Sequence, residues 1–368
     1  MDNLVLYRKY RPKSFAEFVG QEHIVKVLTS ALVAGRLAHA YLFTGPRGVG
    51  KTTIARILAK AANCEKRNEG NFEPCNKCAA CQEITDGRSL DLIEIDAASN
   101  RGIDEIRELR EGIKFAPTRL KYKVFIIDEV HQLTKEAFNA LLKTLEEPPA
   151  HAIFILATTE IHKVPETIIS RCQKFNFHKL TLDKIVERLA RIAKEEKVKI
   201  DKSALEMIAL NADGAMRDAE SLLGQIMAME DENITLDEVK NLLGSADISA
   251  AIEMINHLIA KDAKNAIYFI NKILDDGYDL EQFAKLLVSY LRKIMILKVD
   301  AELSELVAQE LTAEQKKIIL EQAQKLSFED LGKLIRLFIQ AEYEIKNSIL
   351  PQLPLELVVV EMIGDGGK

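Results

Sequence analysis

The sequence of 368 residues is 48% apolar and 29% charged with a formal charge of -6, which excludes a disordered chain and a generally basic sheath for nucleic acid, so any DNA contact must be local. At roughly 150 residues per domain, the length calls for two or three domains. No apolar run approaches the roughly 20 residues that cross a bilayer, and the N-terminus turns basic at Arg8 and Lys9 before a signal-like region develops, so the protein is expected in the cytoplasm with no membrane partner.

The lead-in, Tyr7, Arg11 and Pro12 followed by Phe15, Phe18 and Val19, is basic and aromatic, and Pro12 excludes a continuous helix. It either lines the base end of a nucleotide or straps the core. Ile24, Val27, Leu28, Ala31 and Leu32 repeat at helical spacing over residues 22 to 34. Tyr41, Leu42 and Phe43 form a short buried strand, and Gly45, Pro46, Arg47, Gly48, Val49, Gly50, Lys51 and Thr52 fit the phosphate-loop spacing GxxxxGK[ST]. The glycines let successive N–H groups face phosphate oxygens at a helix N-terminus. Lys51 supplies a charge for the β and γ phosphates and Thr52 a hydroxyl for Mg²⁺; Thr53 closes the binding stretch but faces elsewhere. The plain alternative is a glycine-rich turn capping an ordinary helix.

Cys64 is followed by Cys75, Cys78 and Cys81 in CxxCxxC spacing. Four thiolates on one loop suit a closed, structural Zn²⁺ site. The ferredoxin run, with its fourth Cys three residues on and then Pro, is not matched by the residues after Cys81; unligated buried thiols are the remaining alternative. A strand is predicted over Leu90 to Ile95, then a helix from Ile103 to Gly112. Ser99, Asn100 and Arg101 at that helix start either cap it or offer donors to a nucleic-acid phosphate.

Lys123 to Ile127 reads as a strand that ends in Asp128 and Glu129. Asp128 is placed to hold magnesium, and Glu129 to polarise an attacking water. His131 has a weaker case and reads as a core or supporting histidine. Ile153 to Ala157 is a further strand, ending in Thr158, Thr159 and Glu160; Ser170, Arg171 and Cys172 follow, and Phe175 and Phe177 mark a last short strand. Arg171 is either a surface ion-pair partner or a cation offered to a neighbouring subunit's nucleotide. Residues 181 to 243 are helical by period, with Arg217 near a helix start that calls for something negative opposite. After a boundary at Gly244 to Ser249 everything reads as helix, in apolar stripes ending at Ile345, and the tail Gly364 to Lys368 reads as flexible.

With the phosphate loop, the strand-end Asp128 and Glu129, Ser170-Arg171-Cys172, and Gly214 with Arg217 in hand, the chain resembles the AAA+ clamp-loader ATPases of bacterial replication. The four-cysteine insertion is the discriminating mark. The resemblance implies a P-loop AAA+ core over residues 1 to 178, a parallel sheet flanked by helices with a zinc module at about 64 to 81. A small helical lid over 179 to 243 and an all-α oligomerisation collar over 244 to 368 would follow. It implies that Gly45 to Thr52 is Walker A and Asp128 with Glu129 Walker B. Thr159, rather than Thr158, would be sensor 1, Arg171 an arginine finger acting in trans, and Arg217 sensor 2. Tyr7 to Pro12 and Val19 would lie near adenine, and Cys64, Cys75, Cys78 and Cys81 would hold zinc.

The implied cofactors are ATP, Mg²⁺ and Zn²⁺. The implied partners are further copies of the chain, delta and delta-prime subunits, the beta sliding clamp and primed DNA. The holoenzyme's class label, DNA-directed DNA polymerase and hence nucleotidyltransferase, comes with the resemblance although no polymerase chemistry is visible. A long C-terminal extension of the larger form is missing, so contacts with the polymerase core and replicative helicase are not expected. Competing readings are a branch-migration motor on the same fold and a nonhydrolysing assembly module.

Overall fold

A computed structural model describes residues 5–67, 70–100, 102, 109, 111–228, 233–236, 238–239, 248–300 and 313–364. The predicted helix from Ile103 to Gly112, the donor role of Arg101, most of the boundary at Gly244 to Ser249 and the tail after Gly364 lie mainly or wholly outside them. The chain divides into two compact units, Met1–Thr235 and Leu236–Lys368.

The first unit is built on five parallel strands, β1 Ala40–Thr44, β2 Leu92–Asp96, β3 Lys123–Asp128, β4 Ala152–Thr158 and β5 Gln173–Asn176, in the order β2-β3-β4-β1-β5. β2 starts two residues later than the predicted Leu90 and runs on to Asp96. The central strands are apolar on both faces because helices cover both. Tyr41, Phe43, Val124, Ile126, Ile153 and Ile155 join one core with Ile54 and Leu58 of the helix Lys51–Asn63. Their alternates, Leu42, Phe125, Ile127, Phe154 and Leu156, pack with Phe138 and Leu141 of Lys135–Glu146.

Register aligns Thr44 with Thr158 and Asp96 with Asp128. The C-terminal ends of the strands therefore form one rim, where ligands of open parallel sheets bind.

Residues 181 to 235 are not helical throughout. Helices Leu182–Glu195, Lys202–Asn211 and Met216–Met227 are joined by a parallel pairing of β6 Lys199–Ile200 with β7 Asn233–Ile234. They belong to the same compact unit as the sheet, tied to the lead-in by Tyr10, whose hydroxyl donates to Glu196 at 2.6 Å, and by Arg188, which donates to the Tyr10 carbonyl.

The second unit is helical where described: Ile248–Ile259, Ala263–Asp275, Leu280–Val299, Ala313–Lys325, Phe328–Ile345 and Leu353–Gly364. Its core gathers Ile255, Ile270, Phe283, Leu291, Leu334, Phe338 and Val359. Gln322, buried at its centre, accepts from Tyr290 Oη at 2.6 Å and donates to the Ile252 carbonyl and Asn256, so the polar group carries its own partners. No helix among the described residues is long and apolar enough to cross a membrane.

Candidate functional site

The loop between β1 and the helix Lys51–Asn63 admits only glycine at its tight points. At Gly45 (φ +146°) a Cβ would lie 2.4 Å from the Phe177 carbonyl oxygen, and at Gly48 (φ +76°) 2.8 Å from Ala215 Cβ. The loop is thereby pressed between Phe177, just after β5, and Ala215, just before the helix Met216–Met227. Lys51 is 6% exposed, and its Nζ donates to the carbonyls of Gly45 and Pro46, both at 2.8 Å. Burial lowers its pKa, against the opposing pull of Glu129 and Asp128.

Beside it, Thr52 Oγ1 donates to Asp128 Oδ2 at 2.6 Å. Two hard oxygens so placed, one from a helix start and one from a strand end, suit Mg²⁺. Glu129 turns the chain with φ +48°, and its carboxylate accepts from Thr159 Oγ1 at 3.1 Å. Thr158 is turned inward, its hydroxyl accepting from the Glu160 N–H at 3.0 Å. His131, with a side chain 4% exposed, lies between Glu129 at 3.4 Å and Glu160 at 3.2 Å, its Nδ1 3.0 Å from Thr158 Oγ1. The ends of β3 and β4 are thus joined by one polar network around Glu129.

Lys51, Thr52, Asp128 and Glu129 open on a cleft of about 1070 Å³. Of the sequence-predicted residues, Tyr7, Arg11, Pro12, Val19, Arg47, Gly48, Val49, Gly50, Lys51, Thr52, Thr53, Asp128, Glu129 and Arg217 line it. Gly45, Pro46, Thr159 and Arg171 do not. The first two act through the carbonyls that hold Lys51, and Thr159 through Glu129. Arg217 lies over the Tyr7 ring, 4.7 Å from its centroid, a cation–π contact across the mouth of the cleft. Arg11 donates to Thr53 Oγ1 at 3.2 Å, and burial followed by the nearby Arg56 lowers it to about 10. Arg171 lies apart, 34% exposed and paired with Glu146 at 2.7 Å. Ser99 Oγ donates to Asp96 Oδ2 and Asn100 Nδ2 to the Asp96 carbonyl; the helix start they would cap lies outside the described residues.

The four cysteine sulfurs, Cys64, Cys75, Cys78 and Cys81, all lie within 4.8 Å of one another. Zn–S bonds of about 2.3 Å in a tetrahedron would place them about 3.8 Å apart; Cys75 and Cys81 stand at 4.0 Å. Burial would raise the Cys75 thiol, yet the N–H groups of Lys77 and Cys78 aimed at its sulfur bring it down to about 6. Donor type, number and spacing all fit a structural zinc ion.

Sequence reasoning missed several cleft residues. Arg188 and Glu220, from the helices Leu182–Glu195 and Met216–Met227, form a buried pair at 3.2 Å on the cleft wall, where burial pushes Glu220 up to about 7 against the pull of Arg188. The signal was an arginine inside the apolar stripe Ile185, Leu189 and Ile192. Ile84, Thr85 and Asp86 also line the cleft; nothing in their spacing announced it.

Family descriptions match along the chain: "DNA polymerase III, delta subunit" over residues 20–181, "DNA polymerase III clamp loader subunit, ATPase lid domain" over 184–232, and "DNA polymerase III subunits gamma and tau domain III" over 234–365. The chain is 43% identical over 362 residues to DNA polymerase III subunit tau of Bacillus subtilis, covering 98% of this chain and 63% of that one. It is 43% identical over 298 residues to DNA polymerase III subunit gamma of Buchnera aphidicola subsp. Schizaphis graminum, covering 81% of this chain and 82% of that one. A solved structure of the Thermotoga maritima RuvB Holliday junction branch migration motor is 23% identical with a TM-score of 0.49, over 73% of this chain and 86% of that one. At that distance the likeness carries no argument. The chain spans between about half and two thirds of the length of the tau relatives it matches.

Proposed function

Because the chain belongs to the DNA polymerase III gamma/tau subunit family, we propose that it is an ATPase subunit of a clamp loader. It uses ATP binding and hydrolysis to open the beta sliding clamp and place it on primed DNA. The observation that carries this reading is the convergence of Lys51, Thr52, Asp128 and Glu129 on one cleft at the strand ends.

In this reading the loop N–H groups and Lys51 bind the triphosphate, while Tyr7, Pro12 and Val19 take the base. Thr52 and Asp128 hold Mg²⁺, which supplies charge neutralisation at the phosphates when bound. Glu129, held by Thr159, takes the proton of the attacking water. Arg217 reports nucleotide to the lid. Arg171, turned outward, serves the ATP of a neighbouring copy, and its exposed pairing with Glu146 is cheap to exchange for a phosphate.

The sheet unit serves as the AAA+ core with a zinc module on Cys64, Cys75, Cys78 and Cys81, the residues from 179 to 243 as lid, and the C-terminal helices as collar. Exposed apolar residues Ile349, Leu353, Leu357 and Val360 support assembly through that collar. The partners are further gamma/tau copies, delta, delta-prime, the clamp and primed DNA, in the cytoplasm. No nucleotidyl transfer is assigned to the chain: its acids serve a phosphate loop, and the transferase label belongs to the holoenzyme.

Steady-state ATP turnover, measured with and without clamp and primed DNA in the assembled complex, tests the reading. Stimulation by both is expected. Strand separation or branch migration without a clamp would replace it with a motor, and nucleotide binding without turnover with an assembly module.

A further inference from the structure

The cysteine module and the nucleotide cleft share a wall. Cys64 follows directly on the C-terminus of the phosphate-loop helix Lys51–Asn63. The helix Ala79–Thr85, which contains Cys81, sends Ile84 and Thr85 to the cleft surface. From the opposite side the module grips the lead-in. Glu73, two residues before Cys75, accepts from two successive backbone N–H groups, Phe15 at 3.0 Å and Ala16 at 2.8 Å. Lys60, 3% exposed, donates both to the Lys13 carbonyl at 2.8 Å and to Asn76 Oδ1 at 2.7 Å. Asn76 stands inside the Cys75–Cys78 turn with φ +55°. Phe15 meets Phe72 edge to face at 6.3 Å.

The lead-in so held presents Arg11, Pro12, Lys13, Phe18 and Val19 to the cleft. The Phe18 ring lies where a Cβ on Gly50 would come within 2.6 Å of it.

We infer that the four-cysteine module is a buttress for the nucleotide cleft, so that zinc occupancy and nucleotide affinity are thermodynamically coupled through Glu73, Lys60 and the lead-in. The inference rests on the proposed reading of the cleft as a nucleotide site. Without metal, the Cys75–Cys78 turn has no common point to close on, and Asn76 and Glu73 lose their fixed positions. The lead-in is then held on one side only. By linkage, nucleotide must tighten metal retention by the same factor by which metal tightens nucleotide binding.

The test uses the full chain and two equilibrium titrations. The apparent zinc dissociation constant is measured against a zinc-selective chromophoric chelator with and without saturating Mg-ADP, and the ADP dissociation constant by a fluorescent ADP analogue at full zinc. A shift in zinc affinity of about 5-fold or more on adding ADP is expected for the wild type. Glu73→Gln, which keeps all four cysteines, is expected to retain one zinc per chain, to bind ADP more weakly at full zinc, and to bring the coupling factor toward one. The second readout does not require a folded metal-free form.

Absence of ADP binding by the wild type would overturn the reading of the cleft on which the inference rests. ADP binding with identical zinc affinity in both conditions, or a Glu73→Gln protein with wild-type ADP affinity and full coupling, would overturn the inference alone.

Discussion

In the proposed function Lys51 and Arg171 are the two cations on which hydrolysis turns, and they differ in burial and in the charge beside them. Lys51 is buried, its Nζ held by two carbonyls of its own loop, with Asp128 and Glu129 close enough to oppose its loss of charge. Arg171 is a third exposed and donates to Glu146, itself half exposed, and to the Thr167 carbonyl at 2.8 Å. A buried cation fixed by backbone is preorganised; an exposed ion pair contributes about 0–1 kcal/mol and exchanges readily. The contrast teaches that, in the proposed reading, one half of the site is built within the chain and the other half would be offered to a neighbour.

Breaking the inner half should have the largest effect. Lys51→Ala removes the charge proposed to face the β and γ phosphates, and equilibrium nucleotide titration should show binding lost, with turnover at background. Arg171→Ala breaks the outer half: turnover in the assembled complex should fall by roughly 10³, while the isolated chain keeps its nucleotide affinity. Equal losses of affinity in the two variants would erase the distinction.

Asp91 separates preorganisation from chemistry. It is 2% exposed, and its carboxylate accepts the N–H groups of Thr118, Arg119 and Leu120 at 2.8, 2.8 and 3.0 Å. Burial alone would raise its pKa, but those donors bring it below the usual carboxylate value. The folded pKa lies below the unfolded one. The stability it contributes is therefore fully present above about pH 3.9, and is lost as pH falls through the folded value. Asp91→Ala should cost about 1.5–3 kcal/mol at neutral pH, read by chemical denaturation, and should flatten the acid limb of the stability profile below pH 4. Turnover per folded molecule should not change.

The smallest effect sharpens the contrast from the other side. Glu146→Gln releases Arg171 from its surface partner and should change stability by no more than about 0.5 kcal/mol by denaturant titration, with assembled turnover unimpaired. A large loss of turnover would mean that Glu146 positions the guanidinium.

The parallel sheet was legible because its strands are short apolar runs with turn residues between them, and because the GxxxxGKT spacing fixes a strand before it and a helix after it. The strand-end acids were legible for the same reason: Asp128 and Glu129 end an apolar run. The structure brings those residues to one cleft.

What escaped the sequence depends on pairings between distant positions. The two-residue strands Lys199–Ile200 and Asn233–Ile234 are too short to show a period of two. The last helix, Leu353–Gly364, falls in the stretch read as helix, but its apolar residues lie on most sides and so left no stripe to mark its bounds. The network of His131 with Glu129, Thr158 and Glu160 joins two strand ends, and the grip of Glu73 on Phe15 and Ala16 spans the phosphate loop. Neither leaves a periodic trace. Arg171 could be read only as a surface ion pair or an outward cation, and the geometry of a single chain supplies the first, with the guanidinium held by Glu146 and the Thr167 carbonyl.

The most direct measurement is ATP turnover per chain by a rigorously monomeric preparation set beside the same chain assembled with its partner subunits, clamp and primed DNA. The account predicts near-background turnover in the monomer and a rise on assembly that Arg171→Ala abolishes. Turnover in the monomer equal to that of the assembly would contradict it.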